Sequence, residues 1–188
     1  AMGRKWDDLI IGSDGAATPA ISEGMIGDAY DGTGAQVVFD TTNQQIASGT
    51  AGLTISKMTE AKYIMDNNDV PPEGRNFILG PQQLQDLLNT TEATSIDYNS
   101  VRALVKGAIS TFLGVDLVMS PRLPLLTAEG VCVAFQRDCV GLAVNRVVEL
   151  KQSERDDLSY AWQIFARFSA NATRIDDAGV VRDRKSVV

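Results

Sequence analysis

Cys132 and Cys139 are the only thiols in this 188-residue chain, which contains no histidine. A nucleophilic thiol needs a neighbouring base to form the thiolate, and imidazole is the usual one. The missing histidine also removes the commonest general base and the commonest metal ligand. A Ser-His-Asp or Cys-His site therefore cannot be assembled within this sequence. Zinc would have to draw its four ligands from carboxylates and the two cysteines, a poor match to known centres. The cysteines lie in a stretch of small apolar residues and are expected to be buried free thiols, although spacing alone leaves a disulfide open.

Other local patterns suggest chemistry but lack its full requirements. Asp66-Asn67-Asn68-Asp69 has calcium-type oxygens. It lacks the loop glycine and the bidentate glutamate, and prolines follow, so a helix end with a turn is expected. Gly32-Thr33-Gly34 fits neither a dinucleotide fingerprint nor a phosphate loop, because no lysine follows at the required place. Asp156 and Asp157 beside Arg155 form a carboxylate pair. Acid–base work would need a pocket that shifts their pKa values, and a charged exposed turn is the expectation. Asn89-Thr90-Thr91 and Asn171-Ala172-Thr173 match glycosylation sequons but carry no weight without a secretion signal. No catalytic, cofactor-binding or metal residue is assigned.

Composition sets the class. Hydrophobic residues make up 44% and charged residues 22%, which suits a soluble globular chain with a real core. No run approaches the roughly 18 apolar residues that span a membrane, and no basic-then-apolar signal opens the sequence. The net charge of −7 argues against sequence-independent nucleic-acid binding, which needs lysine and arginine on phosphates.

The expected elements form two groups. Trp6, Leu9 and Ile10 share one face of an opening helix over Gly3 to Ile11, with Asp7 and Asp8 on the other. Glycines punctuate the loose stretch from Gly12 to Gly52, where only Gln36–Asp40 reads as a strand. So long an irregular stretch suggests contact with neighbouring subunits. Thr54 caps a helix to Asn67, with Ile55, Met58, Ala61, Ile64 and Met65 inward and Leu53 stapled onto Met58. Asn67-Asn68 allows a left-handed ending, and Pro71-Pro72 forbids continuation. A buried strand Arg75–Leu79, a helix from Pro81, and a helix over Tyr98–Lys106 capped by Asp97 follow. Strands at Val115–Ser120 and Val131–Phe135 complete an α/β unit.

Beyond it the pattern changes to two long strands, Val144–Lys151 and Ser159–Ile175, around the charged turn Ser153–Asp157. Tyr160, Trp162, Ile164, Ala166, Phe168, Ala170 and Ala172 alternate with mostly polar residues, so one ribbon face is expected to be buried against the opening helix. Trp6, Trp162 and Phe168 are read as core of that layer, with Phe165 and Arg167 on the opposite face as candidate subunit contacts. Gly179–Arg182 suggests a last short strand, and Arg182-Asp183-Arg184-Lys185 a solvated tail.

Several phrases in this order resemble the major capsid proteins of tailed phages. They include Gly52-Leu53-Thr54 through Ala61-Lys62, Val70-Pro71-Pro72-Glu73 with Arg75, and Gln82-Gln83-Leu84 with Asp86-Leu87-Leu88. Asp97-Tyr98-Asn99 with Val101 and Ala103-Leu104-Val105, and Phe112-Leu113-Gly114 with Arg122-Leu123-Pro124, are similar to the next elements. Ser159-Tyr160-Ala161, Ala172-Thr173-Arg174 and Val180-Val181 resemble the closing strands, and Gly3-Arg4-Lys5 with Asp7-Asp8 the end of the long helix. No single motif is diagnostic; the collinear order along most of the chain carries the resemblance.

The resemblance implies an α+β, Hong Kong 97-like capsid fold with an α/β axial domain. Its peripheral domain would be a helix end packed on long antiparallel strands. Residues 1–52 would hold the helix end and glycine-rich loop, 53–143 the mostly axial domain, and 144–188 the peripheral strands and tail. The N-terminal arm, the extended loop and most of the long helix have no counterpart here, which implies part of a longer protein. The implied role is a non-enzymatic coat that self-assembles into pentamers and hexamers of a shell around DNA. Its partners would be other copies of itself with scaffolding and portal proteins, without specific nucleic acid or membrane. The expected location is the virion, assembled in the bacterial cytoplasm, and no cofactor is implied. The interface candidates are Arg155, Asp156, Asp157, Phe165 and Arg167. An encapsulin-type nanocompartment shell shares the fold as an alternative, and a small α/β enzyme using carboxylates or a cysteine is the alternative of another class.

Overall fold

The computed structural model describes residues 2–12, 24–27, 29–30, 33–47, 52–88, 111–123, 125–126 and 129–184. In chain order the elements are helix α1 (Met2–Ile11), the two-residue strands β1 (Ala29–Tyr30), β2 (Gln36–Val37) and β3 (Gln45–Ile46), and helix α2 (Ile55–Asn67). Strand β4 (Arg75–Leu79), helix α3 (Pro81–Leu88), β5 (Thr111–Phe112), β6 (Val115–Met119), β7 (Leu125–Leu126) and β8 (Glu129–Gln136) follow. The long strands β9 (Val140–Arg155) and β10 (Ala161–Arg174) precede the closing β11 (Val180–Arg184). The helix expected over Tyr98–Lys106 lies outside the described residues.

The body is a mixed sheet in the order β3-β11-β8-β4-β6-β5, with β7 paired on β8. Its β3–β11 and β4–β6 pairings are parallel and the others antiparallel. Alternation along each strand feeds two cores. Phe77 and Leu79 of β4, Cys132 and Ala134 of β8 and Val181 of β11 face α2 and Leu87 of α3. Ile78, Val131, Val133 and Val180 face the other way, onto Ile11, Met25, Ile26 and Phe39. A strand buried on both faces must read as a continuous apolar run, which is why RNFIL and VCVAF lack alternation.

Helix α2 starts where its cap predicts: Thr54 Oγ1 accepts from the Lys57 amide at 3.4 Å. Leu53 and Met58 share the core with Ala61 and Met65. The left-handed residue at its end is Asp69 (φ 55), not Asn67 or Asn68. Aspartate tolerates that conformation better than most side chains, and the turn is held from outside. The buried Arg75 donates to the Pro71 carbonyl at 3.0 Å, to the Val70 carbonyl, and to the Asp66 carboxylate at 2.6 Å.

Three expectations are corrected. Asp8 of α1 is buried and takes both Nε and Nη2 of Arg122, so it ties the helix to the turn after β6 instead of facing solvent. Arg182 and Asp183 are buried in β11, which continues through Arg184 between β8 and β3; no solvated tail begins at Arg182. At the charged turn β9 runs on past Lys151 to Arg155 while β10 begins only at Ala161, two residues later than expected, so the turn moves to Asp156–Tyr160. There Ser159 and Tyr160 both take positive φ, 54° and 62°. Two consecutive positive φ values match the right-handed strand twist in hairpin turns, and sequence preference alone assigns them to glycine or asparagine.

Glycines of the loose front segment sit where backbones touch. Gly24 (φ +78) bridges to Thr173 of β10, and a Cβ there would fall 2.5 Å from Gly12 Cα. Among the described residues no helix is long and apolar enough to cross a membrane.

Candidate functional site: an exposed two-stranded ribbon

Among the described strands β9 and β10 form a sheet of their own, joined at its root by the Gly24–Thr173 bridge, and leave the body as a ribbon. Two devices fix its root. Trp6 of α1 stacks on Phe168 of β10, with ring centroids 5.6 Å apart and planes at 27°. Arg174, fully buried, donates to the carbonyls of Met25 (3.2 Å), Gly27 (2.7 Å) and Val37 (3.4 Å) and to the Asp177 carboxylate, and lies over the Phe39 ring. One side chain thereby ties β10 to the glycine-rich segment. Nothing in its local sequence marks Arg174 as buried: Asp177 is a neighbour that a surface arginine could equally have, and its carbonyl partners lie about 140 residues away (149, 147 and 137 along the chain).

Beyond Phe168 the ribbon is bare. Trp162 is 65% exposed, Ile164 73% and Leu150 67%. The core role expected of Trp162 is therefore wrong, while Phe168 and Trp6 do form the helix-on-ribbon layer. Period two reports that a face is apolar, not what covers it: Trp6 of α1 stacks on Phe168, whereas Trp162 and Ile164 on the same face stay exposed. Register places Trp162 with Glu154, Ile164 with Gln152 and Ala166 with Leu150 on one face. The opposite face pairs Ala161 with Arg155, Gln163 with Ser153, Phe165 with Lys151 and Arg167 with Glu149. Phe165 (49% exposed) and Arg167 do lie opposite Trp162 as expected.

Two register shifts follow, between Arg167 and Ser169 and between Ser169 and Ala170, each adding one residue to β9. Residues three apart on a regular strand point to opposite faces. The first bulge, which sets Val147 and Val148 against Phe168, turns Arg146 onto the face of Glu149. Glu149 consequently gathers Arg146 at 2.9 Å, Arg167 at 2.8 Å and Lys151 at 3.6 Å. The Arg167 hydrogen bond, backed by Lys151, holds the Glu149 carboxyl below the usual range. At the tip Arg155 donates bidentately to Asp157, which lowers that carboxyl too. A carboxylate held ionised by an exposed arginine is no general acid, and Asp156 and Asp157 find no pocket.

The remaining chemical candidates close the same way. Asp66 is occupied by Arg75 and Lys62, not poised for calcium, and both cations lower its pKa. Among the described residues no three His, Cys, Asp or Glu could hold a metal. Both cysteines are buried, and neither is in a disulfide. Cys139 Sγ stands 2.0 Å from where a Gly179 Cβ would be, and burial, with Asp176 and Asp138 nearby, pushes its thiol up. An activated thiol requires the opposite shift. We expect iodoacetamide near neutral pH to leave both thiols unmodified until denaturant is added; rapid labelling of the native protein would overturn this. An open groove of about 250 Å³ at the ribbon root is lined by Leu142, Ala143, Asn171, Ala172, Thr173 and Ile175 with Gly141, and contains neither thiol nor carboxylate.

A family model described as phage capsid protein matches residues 1–187. The chain belongs to the phage capsid protein family. Solved structures agree on the fold, which is Hong Kong 97-like. A chain from Mycobacterium phage Che8 is similar at TM-score 0.61 and 20% identity, covering 75% of this capsid protein and 53% of that chain. The mature capsid of bacteriophage PhiM1 matches at TM-score 0.61 and 12% identity, covering 100% and 62%. The SrpI encapsulin from Synechococcus elongatus matches at TM-score 0.60 and 10% identity, covering 97% and 61%. The capsid protein chain thus spans roughly half to two thirds of the length of these solved chains. No curated protein matches it.

Proposed function

We propose that this chain is the shell-forming part of a tailed-phage major capsid protein and works by self-association, not catalysis. The observation that carries the reading is the ribbon. Isolated two-stranded hairpins are marginal in water, yet this one projects strands of 16 and 14 residues with Trp162, Ile164 and Leu150 bare. Burying side chains of the size of Ile164 or Leu150 stabilises by about 1.5–3 kcal/mol each, so neighbouring copies supply what the isolated subunit lacks. Arg155, Asp156, Asp157, Phe165 and Arg167 lie on or beside the ribbon and are the proposed subunit contacts.

Residues 53–143 serve as the mostly axial α/β domain, and residues 1–52 and 144–188 as the peripheral domain, with β3 and β11 stitching the two together. Copies close into pentameric and hexameric rings, and the rings into an icosahedral shell around DNA. Scaffolding and portal proteins are the further partners, and assembly takes place in the host bacterial cytoplasm before the coat becomes part of the virion. The likeness to an encapsulin keeps one second reading, a nanocompartment shell of the same fold.

Negative-stain electron microscopy of the complete gene product tests this. Closed shells or ring-shaped capsomers are expected. Cargo enzyme inside the shells would favour the nanocompartment. Monomers alone, at high concentration and with scaffolding supplied, would overturn the shell reading.

A further inference from the structure

On the ribbon face away from Trp162, three cations meet one carboxylate. Arg146, Lys151 and Arg167 all lie within 4 Å of Glu149, so the cluster carries a surplus of two positive charges. Phe165 stands directly opposite Lys151 and is half exposed in the middle of it. The surplus is built by the β9 bulge, since in a regular strand Arg146 would point to the other face. It also runs against the balance of the chain as a whole, which carries 24 acidic and 17 basic residues.

We propose that this face is a docking surface for an acidic, partly apolar segment of a second copy of the chain. The proposal rests on the self-association reading and adds the partner's chemistry. Glu149 shares its single charge among Arg167, Arg146 and Lys151, so a surplus of two positive charges remains on the face, and Phe165 supplies an aromatic anchor of the kind that dominates protein interfaces. Charge complementarity selects the occupant: a second copy of a chain of net charge −7 brings an excess of carboxylates to set against the cluster. A duplex DNA backbone would also meet the cations, but the bare phenyl ring and the acidic character of the chain favour a protein segment.

The test measures assembly of the complete gene product by sedimentation against protein concentration. Arg146→Gln with Lys151→Gln removes the surplus and leaves the neutral Glu149–Arg167 pair to hold the ribbon. This variant is expected to need about tenfold more protein for half-assembly. Glu149→Gln raises the surplus to three and is expected to assemble at least as well as the wild type, with a steeper loss from about 0.1 to about 1 M salt. Weakened assembly in both variants would mark a merely structural ion network and overturn the proposal. So would unchanged assembly in the double variant; if duplex DNA binding falls instead, the cations serve phosphates. A wild type that never associates overturns both this proposal and the shell reading, whereas an assembling wild type with an indifferent double variant overturns this one alone.

Discussion

Arg174→Ala is expected to destabilise the protein by about 3–5 kcal/mol, because a fully buried side chain is lost and each backbone carbonyl left without its donor costs about 1–3 kcal/mol. The loss has three parts. The carbonyls of Met25, Gly27 and Val37 are left without their donor, the Asp177 carboxylate loses its cation, and the Phe39 ring keeps Arg182 but loses one of its two guanidinium neighbours. Arg174→Lys should recover only part, because an ammonium cannot reproduce the planar fork that spans four acceptors. Urea unfolding of the two variants beside the wild type measures this. Native-state proteolysis should also show earlier cleavage around residues 24–37, the segment that Arg174 ties to β10. A cost below about 1 kcal/mol for the alanine variant, the level of a surface contact, would show that the guanidinium is not the anchor.

The second large effect is on pH. Asp183 of β11 has a side chain only 3% exposed, and its Oδ1 lies 3.2 Å from Lys57 Nζ of α2. Burial pushes its pKa up to about 6 despite the attraction of Lys57, and Glu60 on the next turn of α2 adds to the rise. A raised carboxyl pKa means that the folded state binds this proton more tightly than the unfolded chain does. The stabilisation from the neutral form is therefore complete below about pH 4, the unfolded value, and is lost as pH rises through about 6. The shift is worth about 3 kcal/mol. Other carboxylates titrate in the same window, so the clean observable is the difference between wild type and Asp183→Asn. Measured by urea unfolding, the stability of the wild type relative to Asp183→Asn should fall by about 2–2.5 kcal/mol from pH 4 to pH 7. Parallel profiles across that window would show that Asp183 titrates normally.

These two residues mark where sequence reading stopped. Arg182-Asp183-Arg184-Lys185 has the composition of a solvated end, and charged residues are mostly exposed. Asp183 is buried because β11 inserts between β8 and β3, a pairing that joins residues 131–135 and 45–46 to the end of the chain. Lys57 was equally hidden: it follows the cap of α2 among polar neighbours, and only the sheet beneath makes it a core residue. Asp8 looked like the polar side of an amphipathic helix until Arg122 reached it from 114 residues away. Each case pairs charges across long sequence separations, and no local window contains both partners.

Sequence by itself determined the elements that depend on neighbours a few residues apart. The Thr54 cap and Leu53–Met58 pair set the start of α2, the apolar runs of β4 and β8 required strands buried on two faces, and period two along β10 required a long strand. The absence of histidine excluded imidazole chemistry before any fold was known. Tertiary structure alone decided which faces are covered: Trp6 of α1 stacks on Phe168, while Trp162 on the same ribbon face is bare. It also decided which charges meet, since the β9 bulge brings Arg146 round to Glu149. The physical reason is the same in both cases. Capping and periodicity are local properties of the chain, whereas burial, register and charge pairing depend on which distant segments pack together.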